Sequence, residues 1–269
     1  MITTRWIDVP ERDGARACTL AVHLCGQGPL AVLLHGYPLD HRMWLDLMHG
    51  PLAHRRTLAA IDLRGHGRSP GSGDPVHTMD LLADDTAAVI KTLSNAGAGV
   101  AALSMGGYVA FALWARHPHL VRSLVLANTR AIADSPEARA GRDAAIATVL
   151  TKGRTAIADA MLPRLLPPDA DPLLAARVRT MVEDTPAETI VADLRGLQQR
   201  PDRGALLPTI TVPTLVVAGT ADPIAPLAES GAMARAIPGA HFLALPGTAH
   251  LAPMERPAEF AAAVGPLWA

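Results

Sequence analysis

The stretch Val100-Ala101-Ala102-Leu103-Ser104-Met105-Gly106-Gly107-Tyr108 decides the fold. An apolar, strand-like run enters a serine, and a helical pattern begins at the next residue, so there is no room for an ordinary loop. A reversal that abrupt holds the serine in strained backbone geometry, which is tolerable only where the residues two before and two after are small. Ala102 and Gly106 meet that demand. Such a turn lifts the Ser104 hydroxyl above the carboxyl edge of a parallel sheet, where open α/β sheets bind ligands. It also turns the amide of Met105, at the start of the helix, toward any anion formed there.

On either side, short apolar runs alternate with helical stretches, the pattern of an α/β fold: a mostly parallel sheet with helices on both faces. Buried strands are expected over Leu30–Leu34, Thr57–Ile61, Gly99–Leu103, Ser123–Leu126, Thr214–Ala218 and His241–Leu245, with Arg5–Val9 and Ala17–Leu24 as an antiparallel hairpin at one edge. Helices fit His77–Asn95, Met105–Arg116, Ala225–Ala236 and Pro257–Trp268. The rhythm breaks between Arg130 and Pro208, where no strand pattern occurs. There, helix starts fall at Ser135-Pro136, Asp171-Pro172 and Thr185-Pro186. The expected organisation is an α/β core of residues 1–129 and 209–269 carrying a helical cap subdomain of residues 130–208. The insertion's apolar positions, Ile146, Val149, Leu150, Ile157, Met161, Leu165, Val178 and Met181, read first as its own core and alternatively as a substrate lining.

Composition narrows the partners. The 269 residues are 49% hydrophobic and 18% charged, too apolar for a disordered chain. The formal charge of −1 has no long run of one sign, so it offers no footprint for nucleic acid or an anionic membrane, and a small neutral molecule is the default partner. No run of about 18 uncharged apolar residues occurs, and Met1–Gly14 has charges where a leader peptide needs an apolar stretch. The expected location is therefore the cytoplasm. Cys18 and Cys25, the only cysteines, read as reduced packing residues.

A serine hydroxyl is a poor nucleophile at neutral pH and needs a base that is itself held by a third group. Leu243-Ala244-Leu245-Pro246-Gly247-Thr248-Ala249-His250 is a strand followed by a loop that delivers His250, and Leu215-Val216-Val217-Ala218-Gly219-Thr220-Ala221-Asp222 delivers Asp222 in the same way one strand earlier. Asp222 has a second reading, as the cap of the turn ahead of Pro223. The strand end before the insertion reads Ala127-Asn128-Thr129, with no carboxylate. His117-Pro118-His119 terminates a helix without companion carboxylates, so metal binding is not expected there. Gly65-His66-Gly67 and Gly71-Ser72-Gly73 lack the lysine of a phosphate loop and read as turns. Asp84-Asp85 reads as the solvated face of a helix.

Taken in chain order, the serine elbow, Asp222 and His250 resemble the α/β-hydrolase family. His35-Gly36-Tyr37-Pro38 is similar to that family's oxyanion loop, Asp62-Leu63-Arg64-Gly65-His66-Gly67-Arg68-Ser69 to the segment after its next strand, and Gly219-Thr220-Ala221-Asp222 and Ala249-His250 to its acid and base. The elbow departs at Ala102, where glycine is the commoner residue. The overall pattern looks closest to serine esterases, enol-lactonases and cofactor-free haloperoxidase or perhydrolase relatives. The resemblance implies Ser104, Asp222 and His250 as a catalytic triad, backbone amides of Tyr37 and Met105 as an oxyanion hole, and hydrolysis of esters or lactones without cofactor or metal. His35 is expected to position the oxyanion loop, and Tyr37, Trp44, Tyr108 and Arg130 to line an aliphatic pocket for an uncharged acyl group. A ligand-binding protein of the same fold with slow or no turnover is the alternative.

Overall fold

The structure, a computed structural model, describes residues 1–12 and 14–268. One eight-stranded sheet runs in the order β1-β2-β4-β3-β5-β6-β7-β8. β1 (Thr3–Val9) and β2 (Cys18–Gly26) form the expected edge hairpin, and β2 is also antiparallel to β4 (Thr57–Ile61). β3 (Leu30–Leu34), β5 (Ala98–Leu103), β6 (Val121–Ala127), β7 (Thr214–Gly219) and β8 (His241–Leu245) are parallel. β3, β5 and β7 are buried along their whole lengths, which is why they read as continuous apolar runs rather than alternating ones. β8, at the far edge, is half-exposed.

The helices, in chain order, are α1 (Leu45–Met48), α2 (Met79–Leu93), α3 (Met105–Arg116), α4 (Pro136–Lys152), α5 (Arg154–Leu165), α6 (Pro172–Asp184), α7 (Ala187–Gln199), α8 (Leu227–Ala236), α9 (Ala252–Glu255) and α10 (Pro257–Val264). Their starts follow local chemistry. Thr78 accepts from the Leu81 amide at 3.1 Å, Ser135 from Ala138 at 3.2 Å and Asp171 from Leu173 at 2.8 Å, the last two with proline at the first helical position. Thr185 does not cap α7; its hydroxyl lies 3.0 Å from the carbonyls of Met181 and Pro38, tying the insertion to the loop after β3. Among the described residues no helix is long and apolar enough to cross a membrane.

In chain order α4 to α7 fall between β6 and β7, where no strand was expected. Their apolar positions do not form a separate core. Val149, Ile157, Leu165, Val178 and Met181 belong to one buried cluster with Leu33, Leu103 and Val217 of the sheet, whereas Leu150 is 66% exposed. Cys18 and Cys25 are both free, and the Cys25 thiol donates to the Met48 carbonyl.

Asp84-Asp85 corrects the reading of a solvated face. Asp84 accepts from Arg116 and His117, and Asp85 is fully buried against Arg64 and Arg12. Helical periodicity identifies the element but not the loop packed on it, and here that loop brings the fully buried Arg64, which also meets Asp74 at 2.9 Å. Replacing Asp85 with alanine strands part of a buried guanidinium charge, so Asp85→Ala should lose roughly 3 kcal/mol in a denaturant melt, toward the low end for a broken buried pair because Asp74 remains.

Buried carboxylates also set an acid limit. Burial alone would raise Asp193 and Asp62, but the imidazoles around them more than offset it: His66 and His77 hold Asp193 down to about 2, and His23 and His41 hold Asp62 well below the ordinary range. A depressed carboxyl stabilises the fold above its unfolded value of about 4, and that stability is lost as pH falls through the folded value. The melting temperature should therefore drop between about pH 4 and pH 2, as calorimetry across that range would show.

Candidate active site

Ser104 stands at the turn from β5 into α3 with φ 53° and ψ −113°, a region that side-chain-bearing residues seldom occupy. The surroundings enforce it. The Ser104 amide donates to the Ala127 carbonyl at 3.0 Å, while the Ser104 carbonyl accepts from the Gly107 amide at 2.9 Å and from the Thr129 hydroxyl at 2.8 Å. Gly106 has no alternative, because a Cβ there would lie 2.4 Å from the Leu34 carbonyl oxygen and 2.9 Å from that of His35. A Cβ on Gly36 would in turn meet the Ser104 Cβ at 3.3 Å, which places the loop after β3 directly against the serine.

The loops after β7 and β8 bring the other two groups to it. His250 Nε2 lies 2.8 Å from Ser104 Oγ, and His250 Nδ1 lies 2.8 Å from Asp222 Oδ2. An ionised carboxylate only accepts, so Nδ1 carries the proton and Nε2 is left as the acceptor for the serine hydroxyl. Burial pushes Asp222 upward, but hydrogen bonds from His250, from Asn128 and from the Ala225 amide outweigh it and keep the carboxyl below its ordinary value. Asp222 caps the turn and meets the imidazole at once: Oδ1 accepts from the Ile224 and Ala225 amides at 2.8 and 3.1 Å, and Oδ2 faces His250 Nδ1.

Asn128 is a residue the sequence reading passed over. At φ 47° it ends β6 beside the carboxylate, donating from Nδ2 to Asp222 Oδ2 at 2.9 Å and to the Ala249 carbonyl at 3.0 Å. The only signal was the position itself, a strand end facing the same loop. His35 is fully buried and is pushed down to about 4 by burial and by His66. Its Nε2 accepts from the Leu63 amide at 3.1 Å, so Nδ1 donates to the Gly36 carbonyl at 3.0 Å and fastens the loop that carries Tyr37.

A cavity of about 600 Å³ opens above Ser104 and His250, with Tyr37, Met105, Tyr108 and Arg130 in its wall. Trp44 is not there. It is fully buried beside Phe260, because Asp40 caps the turn His41–Trp44 and directs the indole into the core. Nor is the cavity simply aliphatic. Ile157, Met161 and Leu165 of the insertion line one side, but Arg130, Arg142 and Arg164 stand with Asp134 and Glu137 on the rest. Aromatic content could not foresee those charges.

Elsewhere His23, His41 and Asp62 converge within 4.8 Å, a donor set of the kind that holds metals and one that no motif suggested. The two rings stack at 3.4 Å with planes 13° apart, so their in-plane lone pairs run side by side and do not meet at one point. Asp62 instead bridges them, 2.9 Å from each, and also accepts from the amides of His41 and Arg68.

Known proteins share this framework. The profile of the family described as "alpha/beta hydrolase fold" matches residues 29–257. The chain belongs to the α/β-hydrolase fold family. A thermophilic esterase from Thermogutta terrifontis superposes with a TM-score of 0.91 at 36% identity, covering 98% of this chain and 97% of its own. The enol-lactonase from Burkholderia xenovorans LB400 does so at 0.86 and 30%, covering 93% and 96%. A pimeloyl-[acyl-carrier protein] methyl ester esterase from Neisseria meningitidis serogroup C is 30% identical over 239 residues, 86% of this chain and 90% of that protein. Matches to three other curated relatives span 37%, 40% and 61% of those proteins' lengths.

The family's helix-on-strand crossing gives a direct test at Gly106. Gly106→Ala forces a methyl group into backbone carbonyls that cannot swing away, and should lower stability by about 1–3 kcal/mol in a denaturant melt. It should also displace Ser104, so activity falls further than the loss of folded protein accounts for.

Proposed function

We propose that the chain is a serine hydrolase of carboxylic esters or lactones, with Ser104, His250 and Asp222 as its triad. One observation carries the reading: an unbroken hydrogen-bonded series from a strained serine through an imidazole to a carboxylate, at the floor of a cavity of about 600 Å³. That volume suits a small-molecule substrate. Esterase and enol-lactonase relatives agree with it.

In this mechanism Ser104 Oγ attacks the substrate carbonyl carbon as its proton passes to His250 Nε2, and the carbonyl electron pair moves onto oxygen. The amides of Tyr37 and Met105 receive that oxyanion, each donor being worth about 3–4 kcal/mol in the transition state. Asp222 stabilises the imidazolium and keeps the tautomer. Collapse expels the alkoxide, which takes the proton from Nε2 and leaves an acyl-serine; water then attacks with His250 as base, releasing the acid and restoring the hydroxyl. For a lactone the alkoxide stays tethered to the acyl group. His250 takes up and returns each proton, so the reaction calls for no metal or organic cofactor. Residues 130–208 serve as a cap, since Ile157, Met161 and Leu165 furnish the wall facing the serine and thereby set the acyl preference.

Stopped-flow hydrolysis of p-nitrophenyl esters of graded chain length should show a burst of p-nitrophenol, and a fluorophosphonate should label Ser104. Ser104→Ala should abolish labelling and lower kcat by about 10⁴-fold or more, with His250→Ala losing nearly as much because the groups act as a unit. A wild type that neither bursts nor labels would leave a ligand-binding protein in its place.

A further inference from the structure

The loop that presents His250 is restrained in a way the proton relay does not require. It leaves β8 at Leu245 and enters α9 at Ala252 without regular structure of its own. Three consecutive amides in it nevertheless find acceptors outside the loop. Ala249 N–H donates to Glu255 Oε2 at 2.8 Å, Leu251 N–H donates to Glu255 Oε1 at 2.8 Å, and the amide of His250 itself donates to the Leu165 carbonyl at 3.1 Å. Glu255 thus grips the peptide on both sides of the histidine with one carboxylate, and the last residue of α5 holds the peptide between.

We propose that Glu255 is a positioning residue for His250, and that its two-pronged grip fixes the main chain at residue 250 so that Nδ1 and Nε2 meet Asp222 and Ser104 together. The proposal rests on the hydrolytic role of that triad. Its physical basis is reach and charge. Only a carboxylate offers two equivalent acceptors at the separation of the two amides, and charge-assisted hydrogen bonds are about twice as strong as neutral ones. Glutamine matches the shape but presents an NH₂ to one of the two N–H groups, so one side of the grip becomes donor against donor. A loop freed on one side swings the imidazole, and a displacement on the order of 1 Å at a reacting group costs about 100-fold in rate. A purely structural role, as a cap on the short helix α9, makes a different prediction: lower stability with unchanged chemistry in the folded fraction.

Glu255→Gln separates the two, with kcat and KM measured on a p-nitrophenyl ester and the downfield proton NMR resonance of the His250–Asp222 hydrogen bond recorded without substrate. We expect kcat to fall by about 10- to 100-fold with KM within about 2-fold, and the resonance to broaden through faster exchange, while near-ultraviolet circular dichroism shows a native fold. If Glu255→Gln does not fold, Glu255→Asp replaces it, keeping the charge but falling one methylene short of spanning both amides, and the same kcat loss is expected. Wild-type kcat and an unaltered resonance in either folded variant overturn the proposal. Because the resonance needs no turnover, a wild type that shows it but hydrolyses nothing fails the hydrolase reading, and the grip is then judged on the resonance alone.

Discussion

Helix α3 crosses strand β3 so closely that residue 106 has no space for a methyl group, and the geometry of the site follows from that crossing distance. A wider separation would let the turn at Ser104 relax toward ordinary dihedrals and carry the hydroxyl away from the imidazole. The strain at such a residue, on the order of 1–3 kcal/mol, survives only where the surroundings over-determine the backbone. Here the bond to a strand carbonyl, a helix amide and the Thr129 hydroxyl hold the two peptides that flank Ser104. A rigid core is therefore a condition of the chemistry, since close-packed interiors transmit displacement instead of absorbing it.

Asp222 and His250 reach the serine by a different principle. Each comes from a loop beyond a strand end, and polar contacts add to packing in holding each loop. Asp222 is fixed by its own turn through one oxygen and aims the other, with Asn128 filling the remaining approach. The carboxylate is thereby kept ionised despite burial, because the donors around it outweigh desolvation. The fold supplies direction through the parallel strands, and local hydrogen bonds supply the last ångström.

Much of this was legible in the sequence, for identifiable reasons. The central strands were visible because burial on both faces makes them uniformly apolar, and Ser135 and Asp171 marked helix starts because capping is chemistry between neighbours in the chain. Ser104, Asp222 and His250 could be singled out because each stands at the junction of a strand pattern with its sequel. What stayed hidden depends on contacts between distant segments. Asp85 looked solvated because nothing in its own helix announces Arg64, and Trp44 looked available because its burial rests on Phe260, near the other end of the chain. Asn128 was read for the carboxylate it lacks, not for the amide it offers. Of the arginines in the cavity wall Arg130 was anticipated; Arg142 and Arg164 were missed because they sit on α4 and α5, helices with no strong one-sided pattern.

The bond from the His250 amide to the Leu165 carbonyl uses main-chain atoms at both ends. Side-chain identity at position 165 therefore does not encode it, and alignment by residue type will pass over it. What matters is where the final turn of α5 halts in space. What the contact asks of the insertion is the length of α5 and the angle at which it meets the loop, so its end must stay in register with the histidine whatever side chains α4, α5 and α7 present to the cavity.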